Sequence, residues 1–162
     1  MFVKKPLALP VVLLLPVIAG CPSAGVFLRS DGSPGSEKCS EKALEVMRIL
    51  RMRVGDAADA HLDANQIDAS PVMAYDGPLE SYLTESLGML DPGTRLYGQV
   101  WTGGVQVIVR YYEAHPPDGD KVPICAVARL GHGQMRKKPE SMPGIALLEH
   151  GAVSVFVVDS FR

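Results

Sequence analysis

The residues of this chain that could do catalytic or metal chemistry are four histidines and several carboxylates. The histidines are His61, His115, His132 and His150. None lies three to five residues from another, and no cysteine pair flanks them, so the spacing of a zinc site is missing. The sequence also lacks a Gly-x-Ser-x-Gly elbow, a phosphate-binding loop and the kinase signatures. We therefore predict no metal, no cofactor, no catalytic residue and no enzymatic activity.

An acidic segment between residues 56 and 70 raises the question of a calcium loop. Its oxygen-bearing side chains belong to Asp56, Asp59, Asp63, Asn65 and Asp68. An EF-hand loop needs glycine at its sixth position and glutamate at its twelfth. Counted from Asp63, these positions hold Asp68 and Ala74, and the register from Asp59 fails in the same way. Residues 56–70 are therefore predicted to form a solvated loop or an edge strand.

Two further carboxylates, Glu113 and Asp118, follow a pair of tyrosines. A pair of carboxylates can do acid–base work when the fold brings the two groups together. Asp118, however, lies in Pro-Pro-Asp-Gly, where an aspartate side chain has a local role in the turn. We interpret this segment as a turn.

Aromatic side chains concentrate around residues 96–112, as Tyr97, Trp101, Tyr111 and Tyr112. On strands, Tyr97 and Trp101 share one face, whereas Tyr111 and Tyr112 point to opposite faces. At least one of Tyr111 and Tyr112 is then exposed unless both faces of the sheet are covered. Exposed aromatic residues beside a glycine turn are typical of recognition surfaces. We take all four as candidate partner-binding residues, with packing inside the sheet as the alternative.

The beginning of the chain has the pattern of an export signal. Lys4 and Lys5 precede the uncharged apolar stretch Pro6–Gly20. This stretch is shorter than the roughly 20 residues that a spanning helix needs, and Pro10 and Pro16 interrupt it. It is therefore interpreted as a removed signal and not as a permanent anchor.

The signal ends in Ile18-Ala19-Gly20-Cys21, which resembles the lipobox of bacterial lipoproteins. The resemblance implies cleavage before Cys21 and acylation of that cysteine. It also implies a location in the cell envelope, at the outer membrane facing the periplasm, with the membrane as a partner through the lipid. An ordinary secretory signal is the alternative. More broadly, the chain resembles small lipoproteins of myxobacteria.

Composition bounds the remaining 142 residues, which are enough for one domain. Loss of residues 1–20 removes two lysines, so the net charge changes from −2 to −4. This acidity argues against a nucleic-acid partner. Cys39 and Cys125 remain in an oxidising compartment, where we predict a disulfide; two free buried thiols are the alternative.

The domain organisation follows from composition and periodicity. Residues 21–36 are rich in Gly, Ser and Pro and are predicted to be a flexible tether, and residues 37–162 a single β-rich domain. Apolar residues at helical spacing predict a helix over Glu37–Val54 that ends at Gly55.

Strand patterns and short turns fill the rest of the domain. Gly103-Gly104 is expected to supply positive φ angles in a hairpin, and residues 131–144 a long loop with the basic run Arg136-Lys137-Lys138. That run is predicted to be a solvated loop, with contact to anionic lipid headgroups as the alternative. The predicted strands are Val72–Tyr75, Leu96–Trp101, Val105–Tyr112, Val122–Leu130 and a last hairpin of Ile145–Leu148 with Ala152–Phe161, while Leu79–Leu87 fits strand or helix.

These elements predict an α+β, mainly β fold, in which one N-terminal helix packs on an antiparallel β-barrel or sandwich. The segments Gly93–Gly98, Val105–Arg110, Pro117–Gly119 and Val122-Pro123 resemble the periplasmic β-barrel of the conjugation-channel core proteins of type IV secretion. The family's transmembrane segment and proline-rich region have no counterpart in the sequence. The resemblance implies a small barrel and a place in a secretion apparatus.

The function expected first is a lipid-anchored, non-catalytic binding or structural module with an envelope protein as partner. An accessory component of a secretion or conjugation apparatus is the second expectation. A hydrolase whose site forms only on folding is the third.

We predict that Cys21→Ala abolishes acylation and leaves the precursor unprocessed, because the thiol is the acceptor of the first lipid. Mass spectrometry of the mature N-terminus measures this, and Cys39→Ala is the matched control that keeps the lipid. An unmodified N-terminus at another residue would contradict the assignment.

Overall fold

The computed structural model describes residues 25–162, in which eleven strands and one helix are present. The predicted signal segment, the lipobox-like residues and Cys21 lie outside these residues. No helix between residues 25 and 162 has the length and apolar character needed to cross a membrane. The elements are β1 Glu37–Lys38, α1 Glu41–Ile49, β2 Ala57–His61, β3 Val72–Tyr75, β4 Gly77–Leu83, β5 Arg95–Trp101, β6 Gln106–His115, β7 Val122–Arg129, β8 Met135–Arg136, β9 Ile145–Leu148, β10 Ala152–Val157 and β11 Ser160–Phe161.

Six antiparallel strands close into a barrel in the order β5-β4-β2-β10-β7-β6, because β6 also pairs with β5. Closure gives each of these strands two neighbours and leaves no barrel edge unpaired. The predicted mainly β fold with one helix is confirmed, and of its two forms the barrel is observed. Two short ribbons, β1–β11 and β3–β9, lie beside the barrel, and β8 adds to β6.

Strand β2 corrects the expectation for residues 56–70, because it lies inside the barrel sheet between β4 and β10. Ala58 and Ala60 point inward and are buried, while Asp59 faces outward and accepts a hydrogen bond from Ser154 Oγ at 3.1 Å. Alanine is only weakly apolar, so the alternation of apolar and polar residues that marks a half-buried strand is weak in this segment. The loop prediction holds for the residues that follow His61.

Helix α1 is shorter than the predicted Glu37–Val54. Ser40 caps its start by accepting a hydrogen bond from the Ala43 amide, and Glu37 belongs to β1. At the other end, Leu50 is the C-terminal cap and its carbonyl accepts from the Met89 amide. The predicted stop at Gly55 is wrong, because Gly55 lies in the following turn, where its φ is +93°.

The predicted pair Cys39–Cys125 is confirmed as a disulfide, with the two Cα atoms 5.9 Å apart. It joins the residue before the Ser40 cap to the middle of β7. Met47 on the buried face of α1 packs at the same place, where its sulfur accepts from the Cys125 amide at 3.3 Å. The disulfide and this face of the helix therefore hold α1 against the barrel.

Two expectations about the C-terminal third are corrected. Strand β9 does not form a hairpin with β10, because β10 is paired with β2 and β7 on its two edges, and β9 pairs with β3 instead. The predicted long loop over residues 131–144 contains β8, in which Met135 and Arg136 pair with Val107 and Gln106.

Residues 27–35, assigned from sequence to the tether, form a compact hairpin. The Leu28–Pro34 bridge and the hydrogen bond from the Gly35 amide to the Phe27 carbonyl at 2.6 Å define it. Its tip packs on Gly103, where an added Cβ would lie 2.8 Å from the Gly32 Cα. Neither Gly103 nor Gly104 has a positive φ, so the glycines are needed here for close approach.

Removal of the disulfide by Cys39→Ala together with Cys125→Ala should lower the free energy of unfolding by about 4–5 kcal/mol. The bond closes a loop of 86 residues, which restricts the unfolded chain. Urea denaturation measures the loss. Dithiothreitol should destabilise the parent protein by a similar amount and leave the double variant unchanged; equal stability of the oxidised parent and the variant would contradict the prediction.

Candidate functional site

Strand β5 presents its aromatic side chains on the outside of the barrel. Leu96 and Val100 are fully buried in the core, so the alternate residues Tyr97 and Trp101 point outward. Tyr97 is half-buried, whereas Trp101 is only 8% exposed. The predicted shared face of Tyr97 and Trp101 is confirmed.

A bulge in β6 sets the direction of the neighbouring tyrosines. Tyr97 pairs with Glu113 while Gly98 pairs with Tyr111, so Tyr112 is an extra residue in β6. Tyr111 lies wholly inside the barrel, where its hydroxyl is 2.7 Å from Ser81 Oγ. Tyr112 points outward beside Glu113. The candidate surface therefore excludes Tyr111, which no partner at the surface can reach.

The outward side chains form a groove of about 600 Å³ between β5, β6 and the N-terminal segment, which we call the aromatic groove. Three of the four predicted partner-binding residues line it: Tyr97, Trp101 and Tyr112. The other lining residues are Val26, Leu28, Glu37, Gly98, Gln99 and Glu113. The groove is thus aromatic at its centre and carries two carboxylates and an amide.

Beneath the groove lies a buried arginine that sequence reasoning missed. Arg110 is 1% exposed, and its guanidinium donates to the Gly35 carbonyl at 2.6 Å and to Glu37 Oε2 at 3.3 Å. The guanidinium also lies over the rings of Trp101, at 5.4 Å, and Phe161, at 4.9 Å. The one signal in the sequence was a charged residue within the apolar alternation of Val105–Tyr112.

Glu37 links this network to the groove, because its Oε2 also accepts from the Tyr112 hydroxyl at 2.9 Å. Burial and the hydrogen bond to Glu37 raise the pKa of Tyr112 to about 12. Desolvation and the nearby Glu80 carboxylate raise the pKa of Tyr97. Both hydroxyls therefore stay protonated at neutral pH, and the groove presents two neutral phenols.

The rim of the groove is held by Glu113. This carboxylate contacts His115 and lies 3.7 Å from Lys121 Nζ, and the hydrogen bond from His115 lowers its pKa. The His115 ring packs on Tyr97 with centroids 4.2 Å apart. Asp118, the other candidate acid, lies in an exposed turn, as the Pro-Pro-Asp-Gly pattern predicted.

The remaining candidates for metal or catalytic chemistry are dispersed. His61 stacks on Tyr82, and His132 lies beside Phe156 with ring centroids 6.3 Å apart. Between residues 25 and 162, no three His, Cys, Asp or Glu side chains are grouped so that they could hold a metal ion.

Comparison with known proteins adds no family. No family model matches the chain, and no curated protein matches it.

Replacing the buried arginine by Arg110→Met should lower the free energy of unfolding by about 2–3 kcal/mol. The change leaves the buried Gly35 carbonyl without its donor and removes the partner of Glu37. Arg95→Met is the matched control, because Arg95 forms an exposed pair with Glu80, which is worth less than about 1 kcal/mol. Thermal or urea unfolding of the two variants measures the difference. Equal losses of unfolding free energy would refute a special role for Arg110.

Proposed function

We propose that this protein is a lipid-anchored binding module of the cell envelope, which holds a partner protein in the aromatic groove. The anchor is the acylated Cys21, and the barrel is a rigid support for the groove. The observation that carries the proposal is the convergence of Tyr97, Trp101 and Tyr112 on one surface groove.

The lining of the groove supports an extended peptide segment as the bound element. Val26, Leu28 and the edge of Trp101 offer an apolar surface, on which a partner's apolar side chain would be shielded from water. Gln99 can exchange hydrogen bonds with the partner's backbone or side chains. Tyrosine supplies a large contact area with few rotatable bonds, so little conformational entropy is lost on binding.

The network beneath the groove supports the same proposal by limiting motion. The Glu37 carboxylate fixes the Tyr112 hydroxyl, and Arg110 fixes Glu37. The His115 ring packs on Tyr97 from the side. Preorganised side chains lose less freedom when a partner binds, which favours affinity.

The chain length between lipid and groove limits where the partner can be. Val26 lines the groove and is five residues from Cys21, a span of at most about 18 Å when fully extended. A partner in the groove would therefore lie close to the membrane that holds the lipid. This fits an envelope protein with a segment near the bilayer.

A site-specific cross-link tests the proposal in intact cells. A photoreactive amino acid at Gln99, inside the groove, should give an adduct with one defined protein after illumination. The same amino acid at Met89, an exposed residue beside the end of α1, should not give that adduct. Identical adducts at the two positions would reject the groove as the binding surface.

A pair of tyrosine variants completes this test. Tyr97→Ala should reduce the adduct at Gln99 at least fivefold, because it removes one wall of the groove. Tyr75→Ala is the matched control, since Tyr75 is an exposed tyrosine on β3 that does not line the groove. Thermal midpoints of both variants should stay near that of the parent. An unchanged yield in Tyr97→Ala would overturn the proposal.

A further inference from the structure

A second surface of the barrel is basic, although the chain as a whole is acidic. One cavity of about 430 Å³ is lined by Arg29 and Arg129, and a second of about 390 Å³ by Arg136, Lys137 and Lys138. Gln134 lines both cavities, so they lie next to each other on the surface. We call these five bases the basic face. None of them lines the aromatic groove.

The fold positions these bases, and they do not form salt bridges within the described domain. Arg136 is held by the pairing of β8 with β6, and Lys137 Nζ donates to the Thr102 carbonyl at 2.7 Å. The Arg129 guanidinium lies over the Phe156 ring at 5.3 Å. Among residues 25–162, none of the five bases lies within 4.0 Å of a carboxylate.

Two carboxylates, Asp159 and Glu149, also line the cavities, and they leave a surplus of positive charge. Exposed apolar side chains lie beside the bases. Val105, which is 87% exposed, directly precedes the residue that pairs with Arg136, and the exposed Leu130 lines the second cavity. Bases next to exposed apolar side chains are typical of surfaces that meet lipid headgroups.

The N-terminus places this face near a membrane. Arg29 is eight residues from Cys21, a reach of at most about 29 Å. The hairpin that carries Arg29 packs against the β5–β6 turn, so the face cannot move freely away from the lipid. Polybasic surfaces commonly supply a second membrane signal beside a covalent lipid.

We propose that the basic face binds anionic phospholipid headgroups and thereby orients the barrel on the membrane. This inference rests on the lipid anchor of the proposed function for the location of the face. The attraction is electrostatic, so it depends on the anionic fraction of the lipid and weakens as salt shortens the screening length.

Vesicle binding tests the proposal without the lipid. The chain from residue 21 onward, carrying Cys21→Ser, contains every described element of the fold. It should sediment with vesicles of 70% phosphatidylcholine and 30% phosphatidylglycerol and not with pure phosphatidylcholine. Raising the salt from 50 to 500 mM should reduce binding at least tenfold. Equal binding to both vesicles, or no binding to either, would overturn the proposal.

A charge-matched pair of variants identifies the surface. Arg136→Gln/Lys137→Gln/Lys138→Gln should reduce vesicle binding at least tenfold. Lys38→Gln/Lys42→Gln/Lys121→Gln removes the same charge from residues that line neither cavity, and should retain most of the binding. Equal losses in the two variants would show a general charge effect and refute the basic face.

A second variant and a second polyanion complete the test. If the first variant fails to fold by circular dichroism, Arg129→Gln should still reduce binding about threefold. If the protein binds heparin but does not bind anionic vesicles, the ligand of the basic face is a soluble polyanion and the lipid proposal is wrong. Since the vesicle assay uses unlipidated protein, its failure is separate from failure of acylation at Cys21 or of the cross-link at Gln99.

Discussion

The interactions of the buried Arg110 guanidinium fix how the two terminal segments pack on the barrel. A charge removed from water is tolerated only when its hydrogen bonds and its counter-charge are in place. Here the N-terminal hairpin supplies the Gly35 carbonyl, and β1 supplies Glu37. Trp101 of β5 and Phe161 of β11 supply the aromatic rings. One side chain of β6 therefore requires both terminal segments to be in position.

The same requirement links the N-terminal segment to the groove. Glu37 is held by Arg110 and pairs through β1 with Phe161, while the disulfide fixes the chain two residues later at Cys39. The chain that leads from Cys21 thus joins the barrel at a surface that is fixed on both sides. The aromatic groove and the basic face belong to the same folded domain, so the fold sets their distances from this point.

Close approach of β5 and β6 makes the groove possible. A Cβ added to Gly98 would lie 2.2 Å from the Arg110 carbonyl oxygen, so an alanine cannot occupy this position without moving the backbone. At the same place the register shifts, and the bulge at Tyr112 turns this tyrosine and Glu113 to one face. A regular β6 would alternate these two side chains, and the groove would lose one of its walls.

Elements that depend on neighbours along the chain are predictable from the sequence. A short apolar run predicted β3, the segment after a turn predicted β5, and apolar alternation predicted β6 and β7. The leftover cysteines indicated the pair Cys39–Cys125, and the aromatic cluster indicated three residues of the groove. Features that depend on distant partners are visible only in the folded protein: the pairing of β9 with β3, the enclosure of β2, and the inward direction of Tyr111. Arg110 belongs to this second group, since its partners lie 73 and 75 residues away. Periodicity records which face of a strand is apolar, but the choice of neighbour depends on which strand edges remain free once the barrel closes.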